Sequence, residues 1–140
     1  DAKARELILG IIGMKGLVLE HYEKRLYSKL IKFLMTQVEA VNEHVSKKEP
    51  WILAKNVEQH KVNSDLHQIC STCLHAFRLL SIYLTPVMPE LSSNIALFFN
   101  EHAYKSFSSI EIEAISINKY EHLMQRLDLK NIKNMVDANN

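Results

Sequence analysis

Asp65-Leu66-His67-Gln68-Ile69-Cys70-Ser71-Thr72-Cys73-Leu74-His75-Ala76-Phe77-Arg78-Leu79-Leu80-Ser81-Ile82-Tyr83-Leu84-Thr85-Pro86 decides the fold of this chain. It has no glycine or proline before its last residue. Its apolar positions Leu66, Ile69, Cys70, Cys73, Leu74, Phe77, Leu79, Leu80, Ile82 and Leu84 cover most of a helical wheel. A helix that is apolar nearly all round belongs at the centre of a helical assembly. Ser64 or Asp65 can cap its start, and Thr85-Pro86 ends it, because the residue before proline is pushed out of the α region. The expected architecture is therefore all-α, a helical bundle built around residues 66–84.

The flanking sequence agrees with a bundle. Residues 22–46 carry Leu26, Leu30, Phe33, Leu34, Val38, Val41 and Val45 at three- and four-residue steps, the pattern of one amphipathic helix. Arg25, Lys29 and Lys32 form a basic stripe along it, read first as a solvated face and second as a polyanion contact. Residues 4–20 show a weaker helical pattern through Leu7, Ile8, Ile11, Ile12 and Val18. Gly10, Gly13 and Gly16 lie along one side of it, suggesting close helix packing or a frayed helix. Pro50 either ends the helix before it or starts the next, and residues 57–64 read as a polar loop. Downstream, Pro89 opens a shorter helix through Phe99, and residues 100–109 read as loop. The partial alternation of Ile110, Ile112, Ile115 and Ile117 suggests a short extended segment across the bundle. Asp128 would cap a final short helix, Leu129–Val136.

Composition narrows the function classes. A chain of 140 residues with 47% hydrophobic and 24% charged residues fits one domain, 1–140. A net charge of +1 argues against a long DNA footprint. The charge is uneven: residues 1–64 hold 11 Lys/Arg against 8 Asp/Glu, and residues 65–140 hold 6 against 8. Phosphate contacts are thus expected in the first half. No apolar run approaches the roughly 18–20 residues that span a bilayer, and two cysteines suit a reducing compartment. The opening residues lack a signal-peptide pattern and an initiator Met, so a longer parent chain is expected.

Few side chains suggest catalysis. Cys70-Ser71-Thr72-Cys73 is half of a tetrahedral zinc site at most. With His67 it could serve a metal or thiol-redox role, but small buried hydrophobes are the plainer reading. The seven histidines fall in no HExxH or triad spacing and read as surface or satisfied core residues. No phosphate-cradling loop or nucleophile elbow is present.

The remaining feature is Glu49-Pro50-Trp51-Ile52-Leu53-Ala54-Lys55, with the only tryptophan of the chain at a helix junction. Its order with the other segments carries a family resemblance. A basic amphipathic helix ends in this Pro-Trp element. After a polar loop come Asp65–Ser71 and Phe77–Pro89, and the chain closes with Ile117-Asn118-Lys119-Tyr120-Glu121-His122-Leu123-Met124-Gln125-Arg126-Leu127-Asp128. Over about residues 17–137 this resembles the C-terminal, anticodon-binding domain of bacterial-type methionyl-tRNA synthetases, which are class I enzymes. The Pro-Trp element and the L-x-P-x-x-P helix end occur more widely among class I synthetases. The closing x-K-x-x-x-L-x-x-R-[IL]-D pattern is more specific, although the family often has Pro where Tyr120 stands and Phe where Met124 stands.

The resemblance implies a helical bundle that reads the anticodon loop of methionine tRNA. Trp51 would stack on the first anticodon base, and Pro50 would set the turn that presents it. It further implies base-reading Asn and Arg residues on a helix upstream of Asp1, since no Asn-x-x-x-Arg precedes Trp51. The parent would be a cytoplasmic methionine–tRNA ligase using ATP and magnesium. Its catalytic domain would be an N-terminal partner of this bundle, because HIGH- and KMSKS-type signatures are missing here. No cofactor or metal, no DNA and no membrane is expected for this chain itself. The final short helix would brace the catalytic domain. Lys47, Lys48 and Lys55 are candidate phosphate contacts on proximity alone. The competing readings are a helical protein-interaction module without an RNA role, and the equivalent domain of another class I synthetase. An exposed Trp51 favours RNA binding, a buried one the interaction module.

Overall fold

A computed structural model describes residues 1–55, 64–104, 106–111 and 116–124. These form six α-helices and a 3-10 turn: α1 (Ala2–Gly13), α2 (Lys15–Glu23), α3 (Tyr27–Lys48), α4 (Pro50–Lys55), α5 (Ser64–Leu84), α6 (Pro89–Phe98) and the 3-10 helix Phe107–Glu111. The expected all-α bundle is what forms.

α5 is its axis, lying against α1, α3, α4, α6 and the 3-10 helix. Its second half carries the core. Ala76, Leu79, Leu80, Ile82 and Tyr83 meet Ile11 from α1, Met14 from the α1–α2 junction, Val18 from α2, Leu30, Leu34 and Val41 from α3, Ala96 from α6, and Tyr104 and Ile110 beyond it. Each fully buried Leu or Ile stabilises the fold by about 1.5–3 kcal/mol. The first half of α5 differs from the sequence expectation of burial on all sides: His67, Gln68, Cys70 and Ser71 are exposed. Apolar periodicity records which residues tolerate a core. It does not record whether enough neighbouring helices exist to cover every side.

Chain reversals explain the other departures. The single helix expected over residues 22–46 is broken before Tyr27. Arg25 takes a left-handed backbone (φ 56°), with its N–H donating to Tyr22 O at 3.0 Å and the Leu26 N–H to His21 O at 2.9 Å. This paired pattern closes a helix end, usually with glycine at the left-handed position. An arginine there hides the break from sequence inspection and removes Arg25 from the basic stripe. Asn100 (φ 55°) ends α6 in the same way. The three glycines do not mediate close packing: a side chain at Gly10, Gly13 or Gly16 would meet nothing within 4 Å. They lie beside the interruption at Met14 between α1 and α2.

The extended-segment expectation is corrected at Ile110, which is buried in the 3-10 helix. Residues 112–115 lie outside the described residues. Residues 116–122 are non-helical and form no strand. Asn118 pins them to the end of α6, its backbone N–H donating to Phe98 O and its Nδ2 to Leu97 O, both at 2.7 Å. Most of the predicted 57–64 loop and the whole final helix, Leu129–Val136, also lie outside the described residues. Among the described residues, no helix is long and apolar enough to cross a membrane.

Candidate nucleic-acid interface

The Pro-Trp element stands at one end of the bundle, between α3 and α5. α3 stops at Glu49, which adopts a left-handed conformation (φ 45°, ψ 54°) while its N–H still donates to Val45 O at 3.1 Å. Pro50 disfavours a right-handed α conformation for the residue before it. It also suits the first position of the next helix, where no N–H partner is required. The Ile52 N–H then donates to Glu49 O at 2.9 Å, starting α4 in a new direction.

That reversal decides what Trp51 does. On a continued α3 its indole could turn inward. On α4 it is 49% exposed, and Ile52 beside it is also exposed, whereas Leu53 is half-buried. An exposed planar indole on a short rigid helix can offer its face to an unstacked base.

The lysines are not equivalent. Lys47 pairs with Glu43 at 2.5 Å, one helical turn back, and holds the Glu43 carboxyl below its usual range by hydrogen bond and charge. Lys48 pairs with Asp1 at 2.8 Å. The same Asp1 caps α1 by accepting from the Lys3 N–H at 3.0 Å, so Lys48 joins the end of α3 to the start of α1. Lys55 is exposed at the last position of α4 and has no ion pair among the described residues. Sequence proximity could not separate the paired Lys47 and Lys48 from Lys55.

Below α4 lies a cleft of about 280 Å³, bounded by the first residues of α1, the last turns of α3, Leu53 of α4 and the first turns of α5. His44 lines it and is only 7% exposed. Burial, then Lys48, Lys3 and the terminal ammonium, push the His44 pKa down and favour the neutral imidazole. The sequence reading grouped His44 with ordinary surface or core histidines. The available signal was its position three residues after Val41, on the apolar side of α3.

The cysteine reading is also corrected. Cys70 is exposed and Cys73 half-buried, and both are free thiols. Burial, and then the neighbouring Cys70, raise the Cys73 thiol pKa, opposite to what an activated thiolate needs. His67, Cys70 and Cys73 do not assemble a metal site: among the described residues no group of three or more His, Cys, Asp or Glu converges.

No family model matches the chain. Curated proteins do. The methionine–tRNA ligase of Neisseria meningitidis serogroup A is 36% identical over 140 residues, covering 99% of this chain and 20% of that protein. The methionine–tRNA ligase of Thiobacillus denitrificans is 39% identical over 136 residues, covering 96% and 19%. That of Methylibium petroleiphilum is 38% identical over 130 residues, covering 92% and 18%. The chain thus spans about one fifth of the length of the relatives it matches. Over essentially all of its own length, the chain is homologous to a stretch of bacterial methionine–tRNA ligases, and its resemblance to the methionyl-tRNA synthetase family is shown.

Proposed function

We propose that residues 1–140 form a single anticodon-binding domain, the C-terminal part of a methionine–tRNA ligase, with the anticodon loop of methionine tRNA as its ligand. The exposure of Trp51 on α4, at 49%, carries this reading. A half-exposed indole beside lysines is poorly used as a packing anchor and well placed as a stacking platform, worth roughly 1–3 kcal/mol per base. Pro50 acts by holding α4 in the direction that presents it. Stacking alone does not select cytosine, since every base has a π-face, so base choice requires further polar groups.

The parent protein would attach methionine to its tRNA in the cytoplasm, with ATP and magnesium bound by a catalytic domain N-terminal to this bundle. ATP would activate the methionine carboxyl group. The role of this domain would be to hold the RNA loop. In this reading the exposed Trp51 favours an RNA contact over a protein-interaction module without an RNA role.

The test is Trp51 fluorescence during titration with the methionine anticodon stem-loop and with a scrambled-loop control. The single tryptophan makes the assignment direct. Quenching by the cognate loop alone is expected. Equal response to both loops, or none to either, overturns the reading.

A further inference from the structure

Cys70 and Cys73 play no part in the anticodon reading, yet α5 holds them together. They stand three residues apart on one continuous helix, which sets their Cα atoms about 5 Å and their Cβ atoms about 5–6 Å apart. Both are free thiols. A disulfide needs a Cα separation of about 4.4–6.8 Å and a Cβ separation of about 3.5–4.5 Å. The helix already meets the first condition, and a local adjustment of about 1–2 Å meets the second.

This part of α5 can make that adjustment. His67, Gln68, Cys70 and Ser71 are exposed, and the residues that α5 gives to the main core begin at Ala76. Thinly covered segments deform at lower cost than the core does. Between the two cysteines, the Thr72 hydroxyl donates back to Gln68 O at 2.8 Å, a bond type that weakens and bends helices. A disulfide closed across this turn is strained, and strained disulfides are the readily reduced, labile ones.

The two thiols are not equivalent. Cys70 is exposed and open to a reagent from solvent, whereas Cys73 is half-buried and lines an apolar groove with Val38, Phe77 and Leu80. Burial, and then Cys70 itself, raise the Cys73 pKa. Cys73 is thus a poor first nucleophile, but it stands within reach of whatever forms on Cys70.

We propose that Cys70 and Cys73 form a reversible disulfide modification site on the turn of α5 that supports α4, with Cys70 attacking a small-molecule disulfide and Cys73 resolving the adduct. The Cys70 thiol gives its proton to solvent, and its thiolate attacks one sulfur of the oxidant. The S–S bond of the oxidant breaks, and one thiolate leaves and takes up a proton. Cys73 then loses its proton, and its sulfur attacks Cys70 Sγ. The second thiolate departs and is protonated in turn. Two protein thiols are oxidised by two electrons, and the oxidant is reduced to two thiols. Gln68, Ile69 and Thr72, on the same turns, line the cleft below α4 together with Leu53. Closing the ring therefore shifts the support of the helix that carries Trp51.

The test incubates the folded chain with glutathione disulfide, quenches in acid, alkylates the remaining thiols and reads the product by intact-mass and tandem mass spectrometry. The expected product is a monomeric chain lighter by two hydrogens, with Cys70 joined to Cys73, and dithiothreitol restores the starting mass. Cys73→Ser should stop at a glutathione adduct on Cys70; Cys73→Ala serves the same purpose if the serine variant does not fold. Cys70→Ser should react about tenfold more slowly than the unmodified chain, because the remaining thiol is half-buried. Trp51 emission, followed in the same reaction, should change as the ring closes and revert on reduction. A glutathione adduct that persists on Cys70 of the unmodified chain, a disulfide joining two chains, or equal rates for Cys70→Ser and Cys73→Ser would overturn the proposal. Ring closure with constant Trp51 emission would overturn the link to α4. Neither result depends on RNA, so the anticodon reading stands or falls separately.

Discussion

Arg78, with no exposed surface, grips Glu101 through two parallel hydrogen bonds, Nε to Oε2 at 2.7 Å and Nη2 to Oε1 at 2.6 Å. The same Nη2 also donates to Ser109 O at 2.9 Å. Tyr104 donates to Glu101 at 2.9 Å and places its ring 5.7 Å from the guanidinium carbon. Burial, and then Glu101, push the Tyr104 pKa upward, keeping its hydroxyl a donor. The cluster fastens the irregular chain after α6 onto α5, where apolar contact alone gives no unique register.

Removing one partner of this pair leaves a buried charge without compensation. Glu101→Gln and Arg78→Met should each destabilise the fold by about 3 kcal/mol, read as a lower urea midpoint. The double change Arg78→Met with Glu101→Leu should cost less than the two single effects combined. Additive losses would show that the pair does not act as a unit.

Trp51→Ala should leave the melting temperature nearly unchanged, because half of the indole is already in water. It should weaken stem-loop binding by roughly 1–3 kcal/mol, or about 5- to 150-fold. Unfolding of the variant would make Trp51 a packing residue after all.

Among the lysines, Lys55→Ala should have the largest effect on salt dependence, lowering the slope of log K against log salt by about 0.7 for one lost single-strand phosphate contact. Lys47 and Lys48 must first leave Glu43 and Asp1, so their substitutions should change the slope less. Equal changes at all three positions would contradict this ranking.

His44 has its pKa lowered from the ordinary 6.5. The unfolded chain therefore binds the proton more readily than the folded one. The stability this contributes is complete above about pH 6.5 and falls as pH drops from 6.5 through the folded pKa. Lys3 and Lys48 repel an imidazolium there, while Asp1 and Asp65 are the carboxylates lining its cleft. In melts between pH 7.5 and 5.5, His44→Gln should reduce the pH dependence. A curve identical to that of the unmodified chain would remove His44 as its source.

Tyr83, fully buried, donates to Ile11 O at 2.8 Å and joins α5 to α1. Burial raises its pKa to about 12. Tyr83→Phe should cost about 0.5–1.5 kcal/mol, measured by chemical denaturation. An unchanged midpoint would show that this bond makes no net contribution.

Local physics made much of this molecule legible in its sequence. Apolar spacing disclosed α5 and most of α3. Pro86 and Pro89 marked the turn between α5 and α6, and the order of motifs pointed to the methionyl-tRNA synthetase family. These signals depend on short-range sterics and on periodic burial, which the residues carry themselves. Other features depend on groups brought together from distant parts of the chain. The left-handed Arg25, the cover over only one half of α5, the pairing of Lys48 with Asp1 and the seclusion of His44 leave no periodic trace, because each is set by what a neighbouring helix happens to place there. The sequence singled out Trp51 as the residue to question. Only the reversal of direction at Glu49 and Pro50 decided that its indole faces solvent, since one backbone conformation at a helix junction redirects every side chain that follows it.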